Sequence, residues 1–427
     1  MSGLLLATAL TVLTGCGSAN GGGGNNDRSA DGTLVRVSAA AAVAPAADRQ
    51  AAADGGTVLG LDLLRQLAGS NNQAGKQNLA VSPASLQGAL ALLLPGAQGA
   101  TADEIRKLLG TRLSAAEYAT ALGTLRRDEQ AQAAKDHNQL SYADDLWAQQ
   151  GLKLDQTYLR TLATAFATGV HTADFAHHAD QATDAINATV SQETRKMITK
   201  LFDRGALGSD TRLVLTDALY LHADWASPFD PHQTSQADFH LADGSTVPVE
   251  TMRSEHYVST ASIPGWQAAE LPYQGGHLAM DLLLPDSATS TRLPTGAQLA
   301  AAVAALGSSQ QQAGIRLPKF HFEYGGELSG ALRALGMRTA FTGDADLGAI
   351  TTDHTPLQVS TVVQRTKVDV DEQGTTAAAA TGVGVGMGAV APARIQLDFD
   401  HPFVFAVRDT TTGQILFLGQ VLDPLAS

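Results

Sequence analysis

From Gly374 to Pro392 the chain reads GTTAAAATGVGVGMGAVAP, without a charge or an aromatic ring. Its glycines and proline give it the composition of a flexible linker. Its period is that of a strand. Thr375, Ala377, Ala379, Thr381, Val383, Val385 and Met387 fall on one face of an extended chain, and only Thr376, alanine and glycine fall on the other. No proline interrupts the run between Gly374 and Ala391, so every residue in it can donate to a ladder. Any fold assigned to this chain has to explain a segment that is loop by composition and strand by pattern.

The rest of the chain offers that segment a large core. Of 427 residues, 44% are hydrophobic, and with aromatics at only 5% the core falls to Leu, Val and Ala. The net charge of -14 and the absence of a Lys/Arg run argue against a nucleic-acid or phosphate-binding surface. Cys16 is the single cysteine, which excludes an internal disulfide and a cysteine metal cluster. It follows the short apolar run MSGLLLATALTVLTG, which is too short to span a membrane. The run resembles a bacterial lipoprotein signal, residues 1–16, with Cys16 lipidated, although no Lys or Arg precedes it. An ordinary secretory leader with an incidental cysteine is the other reading. Residues 17–55, rich in Gly, Asn, Ser and Ala, read as a disordered tether. Residues 56–427 show no internal linker or repeat and read as one domain.

Helical signals come first in that domain. Ser82-Pro83 is a cap followed by a first-turn proline, and Pro95-Gly96 stops the apolar run. Thr101 and Glu104 have capping-box spacing, with Gly110 as terminator. QATDAINATVSQETRKMITKLF carries Ile186, Val190, Ile198 and Leu201 near helical spacing. Beyond residue 212 strands dominate: RLVLTDALYL, hairpins turning at Asp243-Gly244 and Gly275-Gly276, the alternating GIRLPKFHFEY, and a closing hairpin after His401. Helices followed by antiparallel strands indicate an α+β fold.

No nucleophile elbow, zinc-protease motif or phosphate loop is present. His171, His177 and His178 could hold a metal, but histidines in a polar segment are more often solvated surface. Asp353-His354 reads as a turn, and Asp217, in an apolar strand, as a hydrogen-bonded structural carboxylate. These residues assemble no acid/base or nucleophile set, and no cofactor or metal is expected.

The landmarks coincide with one family. From about Gly56 to Pro424 the chain resembles a serpin, in NLAVSPASL, GATADEIRKLLG, INATVSQETRKMI, LVLTDALYLHADWASPFD, ELPYQGGHLAMDLLLP, LPKFHFEY, ALRALGMRTAFTGDADLGAI, VDVDEQGTTAAAATG, HPFVFAVRD and LFLGQVLDP. Their order and spacing together are specific. The resemblance implies about nine helices packed on three β-sheets, with an exposed reactive-centre loop at about residues 372–394. It implies a suicide-type inhibitor of serine endopeptidases, not an enzyme. In such a protein the bait loop is cleaved and inserts as a strand into the central sheet, carrying and distorting the acyl-enzyme.

On this resemblance the double character of the loop is explained. Glu372 and Gly374 precede a hinge, Thr375, Thr376, Ala377, Ala378, Ala379, Ala380 and Thr381, small and uncharged, which can enter a sheet without desolvating a charge. Gly374 is expected to allow the bend where the strand folds over. The family's spacing puts the reactive bond at Gly388-Ala389 or Met387-Gly388. With no Arg or Lys nearer than Arg394, elastase-like or subtilisin-like targets fit better than trypsin-like ones. Ser82, Ser85, Asn187 and Gln364 match the polar cluster that controls sheet opening, with Gln364 where the family has His, and Asp217 stands where a motif usually has Asn. Trp225 matches a family tryptophan, expected to pack in the core. The expected protein is a monomer, exported and lipid-anchored at the cell envelope or extracellular, whose partners are serine proteases. The alternative is a non-inhibitory serpin acting as a cell-surface binding or scaffold lipoprotein. The glycines at 382, 384, 386 and 388, which weaken a strand, are its argument.

Overall fold

The computed structural model describes residues 32–70, 77–307, 310–375 and 395–426. The leader with Cys16, the hinge from Thr376 to Thr381 and the reactive-bond residues Met387, Gly388 and Ala389 lie outside them. The first half of the chain forms β1 (Thr33–Val35), α1 (Ala46–Ser70), β2 (Leu79–Val81), α2 (Pro83–Leu93), α3 (Gly99–Leu108), α4 (Ala115–Lys135), β3 (Gln139–Gln149), α5 (Gln156–Phe166), β4 (Val170–Ala173), α6 (Phe175–Glu193) and β5 (Leu213–Asp224). The second half forms β6 (Ser235–His240), β7 (Thr246–Ile263), β8 (Trp266–Pro272), β9 (Leu278–Pro285), α7 (Gly296–Leu306), β10 (Gln310–Pro318), β11 (Phe320–Glu327), α8 (Ser329–Ala334), β12 (Val359–Val370), β13 (Gly374–Thr375), β14 (Ile395–Asp398), β15 (Phe403–Asp409) and β16 (Ile415–Val421).

This is the expected α+β arrangement, with eight α-helices among the described residues against the expected nine or so. The strands join into two hydrogen-bonded networks instead of three sheets. One has seven strands in the order β1-β4-β3-β5-β13-β12-β11, and the other has nine. The long strand β7 is the reason for the merger. It pairs with β6 at its start, with β10 through its middle and with β8 at its end, so it belongs to what would otherwise be two sheets.

Local chemistry accounts for many of the element ends. The Ser82 hydroxyl accepts the Ser85 N–H, and Pro83 fills the first turn of α2. The β6–β7 turn has Gly244 at φ 86°, and the β8–β9 turn has Gly275 and Gly276 at φ 80° and 75°, a backbone that needs glycine. Three local readings are corrected. Helix α3 begins at Gly99, so Thr101 and Glu104 do not cap it; Glu104 instead accepts the Arg338 and Thr339 N–H groups. Helix α6 stops at Glu193, because Arg195 and Lys196 take left-handed backbone, and Ile198 and Leu201 are buried beyond the helix. GIRLPKFHFEY breaks at Lys319 into β10 and β11.

Of the expected tether, 17–55, residues 17–31 lie outside the described residues, and residues 32–55 need correction. From Gly32 onward the chain is part of the domain: β1 pairs antiparallel with β4, and α1 starts at Ala46. Alanine is poor evidence of disorder because it is the strongest helix former. Ala52 and Ala53 are buried, as are Leu59, Leu63 and Leu64 farther along α1. Each buried leucine contributes about 1.5–3 kcal/mol.

Helix α2 is buried along its whole length. It touches β3 and β5 of the seven-stranded sheet, β16 of the other network, and helices α1 and α4. Its amino-terminal turn, Ser82 to Ser85, thereby sits behind the middle of the seven-stranded sheet.

Candidate functional site

The middle of that sheet is half closed. Strands β5 and β12 run parallel and pair directly from Val359–Leu213 to Arg365–Ala218. Beyond that point they separate, and the two residues of β13 fill the start of the gap. Thr375 pairs with Val370 of β12 on one side and with Ala223 of β5 on the other, both antiparallel. Gly374 and Thr375 thus form a two-residue strand between β5 and β12, at the end of the sheet where those two strands no longer pair.

The entry point is tightly built. A Cβ on Gly374 would lie 2.1 Å from the Ala223 carbonyl oxygen, so glycine is required for close approach to β5. The expected bend at Gly374 is made by a different residue: the Asp371 carboxylate accepts the N–H groups of Gln373 (2.8 Å) and Gly374 (3.2 Å). Thr375 is 2% exposed, and its hydroxyl is hydrogen-bonded to the Tyr273 phenol. Burial pushes the Tyr273 phenol up, so it stays neutral and can donate.

Trp225 is the post around which the entry turns. Its indole Nε1 donates to the Asp371 carbonyl at 2.9 Å, and its backbone N–H donates to the Gln373 carbonyl at 2.7 Å. Its ring stacks on Tyr273 with centroids 4.6 Å apart. It is buried, as the packing role requires. Glu372 points away from the gap. It accepts the Thr234 hydroxyl at 2.7 Å and pairs with Lys319 at 3.2 Å. Burial alone would raise its carboxyl, but Thr234 and Lys319 outweigh this and hold it below the usual range. Thr234, Tyr273 and Lys319 are participants that sequence reasoning missed, and each comes from a segment far from the loop.

Where β5 and β12 still touch, a buried polar cluster joins them. Gln364 of β12 accepts the Ser82 N–H (3.0 Å), donates to the Ser82 carbonyl (2.9 Å) and donates to Asp217 of β5 (2.8 Å). Ser85 donates to Asp144 of β3, which pairs with Arg126 of α4. The structure brings Ser82, Ser85 and Gln364 together, and Asp217 is the buried, hydrogen-bonded carboxylate the strand pattern suggested.

Asn187 is not part of the cluster. It lies on α6, where its side chain accepts the N–H groups of Leu201 and Phe202 and donates to the Phe202 carbonyl. Its hydrogen bonds are spent holding the chain beyond α6. Asp217, paired across the strands with Gln364, takes the place in the cluster. Arg126 and Asp144 were not foreseen. The doublet Asp144-Asp145 inside the strand SYADDLW was the available signal, since carboxylates in a buried strand demand partners.

The three histidines separate. His171 stacks on Trp147 and pairs with Asp145, while His177 and His178 share Asp174 near the surface. No group of three or more possible metal ligands exists among the described residues.

Residues 54–424 match the family described as "Serpin (serine protease inhibitor)". The chain is similar to Serpin-Z2A of Triticum aestivum, 32% identical over 84% of this chain and 93% of that protein. It is similar to Iripin-3 of Ixodes ricinus, 33% identical over 85% of this chain and 92% of that protein. Among solved structures it is similar to Arabidopsis AtSerpin1 in its native stressed conformation, with a TM-score of 0.75, 26% identity, and coverage of 88% of this chain and 99% of that one. These relatives are from plants and a tick and lend nothing to a bacterial lipoprotein origin.

Proposed function

The chain belongs to the serpin family, a family of serine protease inhibitors, and on that premise we propose that it is a suicide-type inhibitor of serine endopeptidases and not an enzyme. A target protease attacks the carbonyl carbon of Gly388, or of Met387 in the neighbouring register. The peptide C–N bond breaks, the new amine leaves with a proton, and the loop is left as an acyl ester on the protease serine. The freed loop then extends β13 down the gap between β5 and β12, and the protease is displaced before water can cleave the ester.

One observation carries this reading: Gly374 and Thr375 are already paired as a strand between β5 and β12. The hinge beyond them continues in small uncharged residues, so each further pair adds ladder hydrogen bonds without burying a charge. The small and unbranched apolar residues around position 388 favour elastase-like or subtilisin-like targets. A scaffold or binding lipoprotein has no need of a hinge built to enter the sheet, and that alternative is the less supported.

Incubation with elastase-like and subtilisin-like proteases is expected to give an SDS-stable covalent complex and release of the peptide that follows Gly388 or Met387. Cleavage of the loop by each protease with full protease activity retained and no complex formed would contradict inhibition.

We also propose that the protein works as a monomer held at the cell envelope through lipidated Cys16, or free outside the cell. The leader sequence supports this, with its apolar run ending at LTGC. Full-length protein is expected to take up radiolabelled palmitate and partition into detergent, and Cys16→Ser to do neither. Equal behaviour of the two chains would leave a secretory leader as the correct reading.

A further inference from the structure

We infer that Asp217 is a proton lock on the central sheet: protonated, it lets β5 and β12 stay paired, and ionised, it favours their separation. The inference rests on the insertion reading for its consequence, but not for its chemistry.

The geometry places two carboxyl groups in one site. Asp217 of β5 is directly opposite Asp144 of β3 in the antiparallel ladder, so both side chains project from the same face of the sheet. Asp217 has no solvent exposure, and Asp144 is buried to a similar degree. One cation serves both. Arg126 pairs with Asp144, and the same Nη2 also donates to the carbonyls of Ala84 and Ser85. Among the described residues no cation lies within salt-bridge distance of Asp217, and Arg126 acts on it only from farther away. The Asp217 Oδ2 takes the Gln364 amide and its Oδ1 accepts nothing. The Ser85 hydroxyl, which donates to Asp144, is the neighbour that a proton on Asp217 would meet.

The titratable and charged groups on this face are Asp144 and Tyr142 from β3, and Arg126 and Glu129 from α4. The residues contributed by α2 and β12 (Ser82, Ser85 and Gln364) do not titrate. Asp145 projects from the other face of β3, where it meets His171, but it and Glu193 also reach the cavity that Asp144 and Arg126 line and add negative charge there. Two buried carboxylates beside a single arginine do not both ionise easily. Burial lifts Asp144 to about 6 although Arg126 and Ser85 pull it down, so it ionises before the unpaired Asp217, which keeps the proton. Burial first, and the nearby Asp144 second, push the Asp217 carboxyl well above its usual range. Asp144 also lines a surface cavity of about 280 Å³ with Arg126, Tyr142 and Glu193, which gives protons a route to the pair.

The sign follows. The closed sheet holds a proton on Asp217 that the opened, hydrated sheet releases at ordinary carboxylate pH. Closure is therefore strongest at low pH and weakens as pH rises toward the raised value. The bond that spans the seam, Gln364 to Asp217, reports directly on β12 and β5. Ionised Asp217 adds a second buried negative charge beside Asp144, and opening relieves it by admitting water.

Hydrogen exchange of the β5 and β12 amides, measured on the free protein from pH 5 to 9 and expressed as protection factors, tests this. Wild type is expected to lose protection by up to about tenfold per pH unit through the titration of Asp217, the limit for one linked proton. Asp217→Asn, which keeps the shape and the bond to Gln364, is expected to lack that component. Asp144, Glu129 and Glu193 titrate with the same sign, so the difference between the two profiles is the quantity read. Parallel profiles would overturn the inference. If Asp217→Asn fails to fold, carboxyl NMR of aspartate-labelled wild type decides the matter. An aspartate that stays protonated over the range in which β5 and β12 lose protection, and deprotonates where that loss levels off, supports the lock, and none doing so refutes it. No protease is involved, so a chain that never traps a protease can still show the lock, and a good inhibitor can lack it.

Discussion

Thr375→Arg is expected to convert the protein from inhibitor to substrate. Thr375 is 2% exposed and lies between Ala223 and Val370, with its hydroxyl on Tyr273. Arginine remains charged at any accessible pH, and moving an unpaired charge into such a site costs several kcal/mol. The loop must pass this position before any later residue can pair. Since about 1.4 kcal/mol of barrier is worth a factor of ten in rate, insertion should slow by about 100-fold or more. Hydrolysis of the acyl ester depends on the protease and should be unchanged, so it wins the competition. The measurement is the number of inhibitor molecules consumed per protease inactivated, with a gel for the covalent complex. Thr375→Ser, which keeps the hydroxyl and adds no charge, should still trap. Undiminished inhibition by Thr375→Arg would mean that the loop does not use this entrance.

The parts of this machine differ in how far they can be read from the chain. Turn chemistry is local, so the β6–β7 and β8–β9 hairpins and the Ser82 cap were legible from a few residues each. Of the expected hinge only the start lies among the described residues, and there Thr375 is buried against Tyr273, on the face the alternation assigns it. The entrance around it was not legible. Trp225, Thr234, Tyr273 and Lys319 converge on residues 371–375 from scattered segments, and no local pattern encodes their meeting. Asn187 failed as a cluster residue because a motif position carries no register. The pairing of Gln364 with Asp217, and of Asp217 with Asp144, exists only once three strands are aligned. Residues 32–55 misled through composition, since alanine serves a buried helix as well as it serves a tether.

The second large effect concerns the whole fold. Cutting the loop at its reactive bond is expected to raise the melting temperature, although a cut ordinarily loosens a protein. With the cut made, about a dozen residues leave solvent and become an interior strand with neighbours on both sides. Their ladder bonds and buried apolar surface add on the order of 10 kcal/mol. At a little over about 1 °C per kcal/mol for a domain of nearly 400 residues, the melt should move up by roughly 12 °C. The intact form is then the less stable of the two and persists because uncut residues cannot reach down the gap, a kinetic stability. The direct measurement is therefore a thermal melt of intact protein beside protein nicked near Gly388 by a protease that is then removed, with mass spectrometry to locate the cut. The account predicts one transition in the nicked sample, far above that of the intact chain, with the segment from Thr375 to Met387 protected from further proteolysis. A nicked sample that melts at or below the intact one, with that segment still open to digestion, would contradict it.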